Sequence, residues 1–247
     1  IKSSAASDVY KRQDLGDIRE GYVDEEELIA AAVETEKLSH VDLYGIGTNL
    51  TCFSFIQADE EKMERLAEMR RKVENAAGHT LEIVSGGNSA ALDLMMRGGI
   101  CEGVDNFRLG ESLLFGKERS RYTFLPGTRN DGFILECEVV EAKVKPSLPW
   151  GTAGMDSYGR KPVFTDRGEK RKKVICAIGR QDFDAETATP VDEGILILGA
   201  SSDHLMLDVT DSVKEYKVGD IVELRLGYFS VLRAFTSPYV EKIFLKK

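Results

Sequence analysis

The chain has little of what marks the simpler protein classes. It holds one tryptophan, three histidines, six prolines and four cysteines in 247 residues. Cys52, Cys101, Cys137 and Cys176 are scattered and form no Cys-x-x-Cys pair, which argues against a zinc ribbon or a thiol redox motif. Cysteines spaced in this way are expected to serve as small buried hydrophobes, and no metal site is expected. No apolar run nears the ~20 residues needed to span a bilayer. Residues 1–13 lack the apolar centre of a secretory signal. Positive charge is in deficit: 33 Lys and Arg against 42 Asp and Glu leave a net charge of -9. Binding to nucleic acid needs clustered cations that displace phosphate counterions, so neither nucleic acid nor membrane is expected as a partner. The one basic run, Arg167–Lys173, is short, contains Glu169 and reads as a solvated loop. These exclusions leave a cytoplasmic globular protein. Its 42% hydrophobic content is enough for one large domain or two smaller ones.

What is present falls into two patterns. In the first part, short apolar runs that end in glycine alternate with helical patterns. "VDLYGIG" (Val41–Gly47) and "LEIVSGG" (Leu81–Gly87) read as strands. Asp24 reads as a helix cap with Glu27 as its reciprocal partner. In the segment from Asp59 to Gly78, Met63, Leu66, Val73 and Ala77 fall on one helical face, and Gly78 closes the helix. Strand, glycine loop and helix in repetition are the grammar of a parallel sheet or barrel. Near residue 125 the pattern changes. "FILECEVVEAKVK" places Phe133, Leu135, Cys137 and Val139 on one face and Glu136 and Glu138 on the other. Four further strand-like runs follow without a long helical pattern, which reads as an all-β domain.

Three βα junctions, "GIGTNL", "SGGNSAA" and "FRLGESLLFG", put glycine and small polar groups where a strand ends and a helix begins. Helix N-termini attract anions, and (β/α) barrels build their sites at this end of the strands. Ser89 and Gly110 are therefore candidate phosphate contacts, with plain turn closure and helix capping as the alternative.

These stretches, followed by "GASSDHLMLDV", "YKVGDIVEL" and "GYFSVLRAFTSPYV", resemble in order the fold-type III, pyridoxal-phosphate-dependent alanine racemase family. The resemblance runs from Asp14 to the C-terminus and lies nearest the ornithine racemase branch. It implies the C-terminal part of a (β/α)8, TIM-like barrel followed by a β domain, α/β plus β in class. It also implies pyridoxal 5'-phosphate as cofactor, an amino-acid substrate whose Cα proton is removed from one face and returned to the other, and a homodimer that shares its sites. By this resemblance Arg108 faces the pyridine nitrogen, and Asn49 packs against the ring. Asn88, Ser89, Gly110, the backbone of Glu111 and Tyr228 belong to the cofactor site, with Ser89, Gly110, Glu111 and Tyr228 on its phosphate. Arg19 lies near the substrate carboxylate, with a simple ion pair to Asp17 or Glu20 as the alternative. Other fold-type III enzymes, an aldolase of D-amino acids or a decarboxylase, and a non-catalytic cofactor-binding module stay open as readings.

The departures are as informative. Arg180, in "AIGRQDFD", stands where alanine racemases carry a catalytic tyrosine, and a guanidinium is a poor base. Asp203, His204 and Tyr158 are candidates for the second base, and Ser202, Asp203 and Arg180 for substrate contacts. Gln181, Asp182 and Asp184 are further candidates for its far end. An acidic Asp203 suits a cationic amino acid. No lysine stands at a strand end before "DLGDIREG", so the Schiff-base lysine is expected to be absent and the chain inactive as it stands. Residues 8–13, "DVYKRQ", can be encoded as GAT GTG TAT AAG AGA CAG, the end of a widely used sequencing adapter. Residues 1–13 are thus expected to be a non-native leader, residues 14–125 a partial barrel and residues 126–247 the β domain.

Overall fold

The computed structural model describes residues 8–156 and 159–245. It divides into two compact units, Ile1–Arg129 and Asn130–Lys247. The first alternates strand and helix: β1 (Asp8–Arg12), α1 (Glu25–Glu36), β2 (Asp42–Gly47), α2 (Glu60–Ala77), β3 (Ile83–Asn88), a 3-10 turn (Ser89–Ala91), α3 (Leu92–Met96), β4 (Asn106–Arg108) and α4 (Glu111–Phe115). A short hairpin, β5 (Lys117–Glu118) and β6 (Thr123–Phe124), follows. The first four strands form a parallel sheet in the order β1-β2-β3-β4. Consecutive parallel neighbours joined by helices are the repeating unit of a (β/α) barrel, and this unit is part of one. Residues 8–12, assigned from sequence to a leader, form its first strand.

Local chemistry fixes the helices. Asp24 accepts the Glu27 N–H at 2.9 Å and Asp59 the Lys62 N–H at 2.9 Å, each satisfying a first-turn donor. Gly78 ends α2 at φ +83°, where a side chain would be strained. Met63, Leu66, Met69 and Val73 of α2 are buried with Leu28, Ala32, Ile46 and Val84. Each such side chain contributes about 1.5–3 kcal/mol.

The second unit contains β7 (Ile134–Lys145), β8 (Arg171–Cys176), a 3-10 turn (Ala185–Thr187), β9 (Ala188–Pro190), β10 (Leu196–Ala200), β11 (Leu205–Asp208), β12 (Ile221–Leu226) and α5 (Tyr228–Thr236). Its strands form one antiparallel sheet, β10-β11-β8-β7-β12-β9. Leu135, Cys137 and Val139 face its core while Glu136 and Glu138 face solvent.

Three expectations need correction. The unit is not all-β: Gly227 releases the chain into α5, whose Ser230 and Ala234 are buried at helical spacing. The basic run is not wholly a loop. Its last residues open β8, and Arg171 is drawn in to Asp208 and Asp211, both at 2.8 Å. Only two cysteines are buried: Cys52 is exposed and Cys101 half-buried. In the core, burial pushes the Cys176 thiol up to about 12. Among the described residues, no helix is long and apolar enough to cross a membrane.

Gln13 is a local conflict in this fold. It is 1% exposed, and neither its amide nitrogen nor its amide oxygen has a partner. Lys11 pairs with Ile46 in the sheet, and strand alternation places Gln13 on the same face as Ile46, a core residue. A buried amide without partners costs on the order of 1–3 kcal/mol. Gln13→Met keeps the shape and removes the orphaned atoms, so it should raise the melting temperature by several degrees. An unchanged or lower value would contradict this reading.

At the opposite end of the sheet, His79 Nε2 lies 3.1 Å from Glu36 Oε1 and its Nδ1 2.9 Å from the Thr80 carbonyl. The hydrogen bond to Thr80 and then that to Glu36 raise the His79 pKa above its ordinary value. The stability this contributes is complete below the unfolded-state value, about 6.5, and is lost as pH rises through the raised folded-state value. Melting curves from pH 5.5 to 8.5 should show the wild type losing its margin over His79→Gln as pH rises. A margin that does not change with pH would refute it.

Candidate functional site

Parallel strands bring all their C-terminal ends to one edge, and the loops that leave them share that edge. Asn49 follows β2, Asn88 ends β3, Ser89 opens the next turn, Arg108 ends β4 and Gly110 caps α4. Hydrogen bonds join these ends. Asn88 Nδ2 donates to Asn49 Oδ1 at 2.7 Å, to the Leu50 carbonyl at 3.0 Å and to Cys52 Sγ at 3.3 Å. Asn88 Oδ1 accepts the Ala90 N–H at 2.8 Å, so one amide closes its own turn and ties down the segment after β2.

Arg108 is half-buried at this edge. Its guanidinium donates to Ser85 Oγ, to the Thr48 carbonyl at 2.9 Å and to Asn49 Oδ1 at 3.4 Å. All three acceptors are neutral, and among the described residues no carboxylate pairs with it. Burial, and next the nearby Arg12 charge, lower its pKa from the ordinary arginine value. Gly47 makes room for this arrangement: a Cβ there would lie 2.9 Å from Ser85 Cβ.

Next to it, Ser89 is 4% exposed. Its Oγ lies 3.0 Å from Ser112 Oγ and accepts the Ser112 N–H at 3.2 Å. First-turn N–H groups of a helix have no acceptor within it, which leaves the Glu111 N–H available for an outside one. The Glu111 carboxylate is engaged by Arg119 at 2.9 Å. A Cβ on Gly87 or Gly110 would meet nothing within 4 Å, so there is open space over both strand exits.

Arg19 lies on the loop after β1 and pairs with Glu20, Nη2 to Oε1 at 2.9 Å. Glu20 also takes Arg12. The ion pair offered as the alternative for Arg19 is therefore present, and it leaves Arg12, Arg19 and Arg108 with Glu20 as an electropositive group.

In the second unit, Arg180, Ser202, Asp203 and His204 are brought together. The Arg180 N–H donates to the Ser201 carbonyl at 2.8 Å, the Gln181 N–H to the Ser202 carbonyl at 3.0 Å, and Arg180 Nε to the Ala200 carbonyl at 2.9 Å. A Cβ on Gly179 would lie 2.2 Å from Asp203 N, so only glycine permits this contact. The clamped hairpin presents Asp203 Oδ1 at 3.1 Å from His204 Nδ1. Hydrogen bonds from Ser202 and then His204 lower the Asp203 pKa. The Arg180 side chain thus helps to hold the Ala200 carbonyl. Asp182 is buried and accepts from Ser237 Oγ at 2.6 Å. Asp184 accepts the Glu186 N–H to cap a 3-10 turn. Tyr228 begins α5, half-exposed, with its ring edge-on to Phe229 at 5.5 Å. Tyr158 lies outside the described residues.

Sequence reading missed Ser85, Thr48 and Ser112. Ser85 was within reach: period-two alternation puts it on the same face of the sheet as Gly47, its partner in register. Thr48 acts through its carbonyl, which no side-chain pattern reveals.

The profile of the alanine racemase N-terminal domain matches residues 7–118. An ornithine racemase from Acetoanaerobium sticklandii is 45% identical over 229 residues, covering 93% of this chain and 65% of the relative. A lysine racemase from Thermotoga maritima is 42% identical over 231 residues, covering 94% and 64%. The chain therefore spans just under two thirds of the length of these relatives. Alanine racemase from Streptomyces lavendulae superposes with a TM-score of 0.61 at 17% identity, covering 96% of this chain and 66% of that one. Alanine racemase from Bartonella henselae with covalently bound pyridoxal phosphate gives 0.54 at 19%, covering 87% and 56%.

The Arg108 clamp can be tested in isolation. Ser85→Ala removes the hydroxyl that accepts from a half-buried cation and should cost on the order of 1–3 kcal/mol in urea unfolding. Ser85→Thr restores the hydroxyl and should recover most of that. Equal stability of wild type and Ser85→Ala would show that the contact contributes nothing.

Proposed function

Because this chain belongs to the alanine racemase family, in the branch of the ornithine and lysine racemases, we propose that it is part of a pyridoxal-phosphate-dependent racemase of cationic amino acids. The observation that carries the proposal is Arg108: a half-buried guanidinium without a carboxylate, beside open space and free donors. Such a place suits a ligand that is itself anionic and bears an acceptor at its far edge.

The residues fit this cofactor. Ser89 Oγ and the backbone N–H groups of Gly110 and Glu111 would hold the phosphate. Asn49 and Asn88, locked to each other, would flank the ring. Arg108 would face the pyridine nitrogen. A guanidinium keeps its proton at any ordinary pH, so it leaves that nitrogen unprotonated. When bound, the cofactor withdraws electrons from Cα and makes its proton labile. An unprotonated pyridine withdraws less, which favours return of the proton over side reactions.

Arg19 would orient the substrate carboxylate. On the second unit, His204 is of the right chemical type to move a proton, and Asp203 holds its ring through Nδ1. Asp203 also offers a negative charge to a side-chain ammonium. A homodimer in which this hairpin reaches the strand ends of another copy goes with the reading. Among the described residues, none of those gathered at these strand ends is a lysine. The chain by itself would thus bind the cofactor without a covalent link and would not racemise.

The test is a titration of the chain with pyridoxal phosphate, by equilibrium dialysis, together with chiral chromatography of ornithine, lysine, alanine and serine. Saturable binding, weakened at least tenfold by Arg108→Ala and by Ser89→Ala, is expected, with no inversion of any amino acid. Absence of binding refutes the cofactor reading, and racemisation by the chain alone refutes the missing lysine.

A further inference from the structure

Asp17 is buried, 1% exposed, on the loop between β1 and α1. A carboxylate so placed is costly unless it is well bonded. Here it is bonded by backbone alone. Oδ1 accepts the Ser54 N–H at 3.0 Å and Oδ2 the Phe53 N–H at 3.2 Å. The Asp17 carbonyl accepts from Ser54 Oγ at 2.7 Å, so Ser54 donates to Asp17 through both its backbone and its side chain. The loop after β1 is thereby buckled to the loop after β2.

The buckled segment is the one that carries the site. Its near end, Asn49 to Cys52, is tied to Asn88 of β3, and Asn49 also meets Arg108. Its far end is held by Asp17. The same segment closes on itself through Thr51 Oγ1, which donates to the Ile56 carbonyl at 2.8 Å. Backbone strain gathers here. Of the four described non-glycine residues with positive φ, three lie on these two loops: Ile18 at 52°, Thr51 at 74° and Phe55 at 59°. Such strain persists only where the surroundings impose it, and the Asp17 bonds to Phe53 and Ser54 join the two loops that carry it. Without these bonds, the loop would relax and release Asn49 on one side and Arg19, two residues along from Asp17, on the other.

We propose that Asp17 is a positioning residue. It touches no ligand; it fixes the loop after β2 against the loop after β1 and so sets the places of Asn49 and Arg19 in the cofactor and substrate site. The proposal rests on the cofactor reading given above.

The experiment compares the full chain with its Asp17→Asn variant, which keeps the shape but loses the charge and points N–H groups at N–H groups. Amide hydrogen exchange and pyridoxal phosphate binding are measured on both. Exchange at Phe53 and Ser54 should speed up roughly tenfold or more, while the α2 amides from Met63 to Val73 keep their protection. The dissociation constant for pyridoxal phosphate should rise several-fold. Asp17→Glu, which keeps the charge, should recover part of both effects. Unchanged exchange at Phe53 and Ser54 overturns the buckle. Faster exchange with unchanged cofactor affinity overturns the positioning role and leaves a structural one. If the wild type itself binds no pyridoxal phosphate, the cofactor reading fails and the positioning role with it, whatever the exchange shows.

Discussion

Arg108 brings a positive charge into a half-buried place at the ends of β2, β3 and β4, and meets three neutral acceptors there instead of a carboxylate. The rest of the first unit follows from accommodating it. Gly47 lacks a side chain so that Ser85 can stand opposite. The Thr48 carbonyl is available because β2 has just ended. Asn49 is fixed by Asn88, which is fixed by its own turn. A cation held in this way is poised for an outside acceptor, since an uncompensated charge in a partly dry place gains more from a partner than it would in water.

The second unit solves a different problem. Its core is apolar, with Phe183 among Leu205, Leu207 and Leu224, and the buried carboxylate of its sheet, Asp208, is paired with Arg171. What it adds is a rigid hairpin. The turn around Gly179 is pressed onto residues 200–204 so closely that backbone meets backbone, and the exposed Asp203–His204 pair is carried on that clamp. Arg180 is part of the clamp, its Nε donating to the Ala200 carbonyl.

Most of the architecture was legible because hydrophobic periodicity and glycine placement report directly on strand, helix and turn. Asp24, Asp59 and Gly78 mark helix ends in sequence and do so in the structure. The helix α5 was not legible: its aromatic and β-branched residues favour strand locally, and tertiary packing of Ser230 and Ala234 decides otherwise. The site was half legible. Residues that act through side chains in a motif, Asn88, Ser89 and Arg108, could be named. Asp17 and Thr48 act through or upon backbone groups distant in sequence, and no local pattern carries that information. Gln13 is the reverse case, an amide whose burial without partners shows only once the sheet is assembled.

The central claim is that these strand ends form a cradle for pyridoxal phosphate, and a crystal structure of the chain grown with that cofactor tests it most directly. The expected result is a phosphate within hydrogen-bond distance of Ser89 Oγ and the Glu111 N–H, with the pyridine edge toward Arg108. Cofactor bound elsewhere, or strand ends left without it at saturating concentration, would contradict the claim.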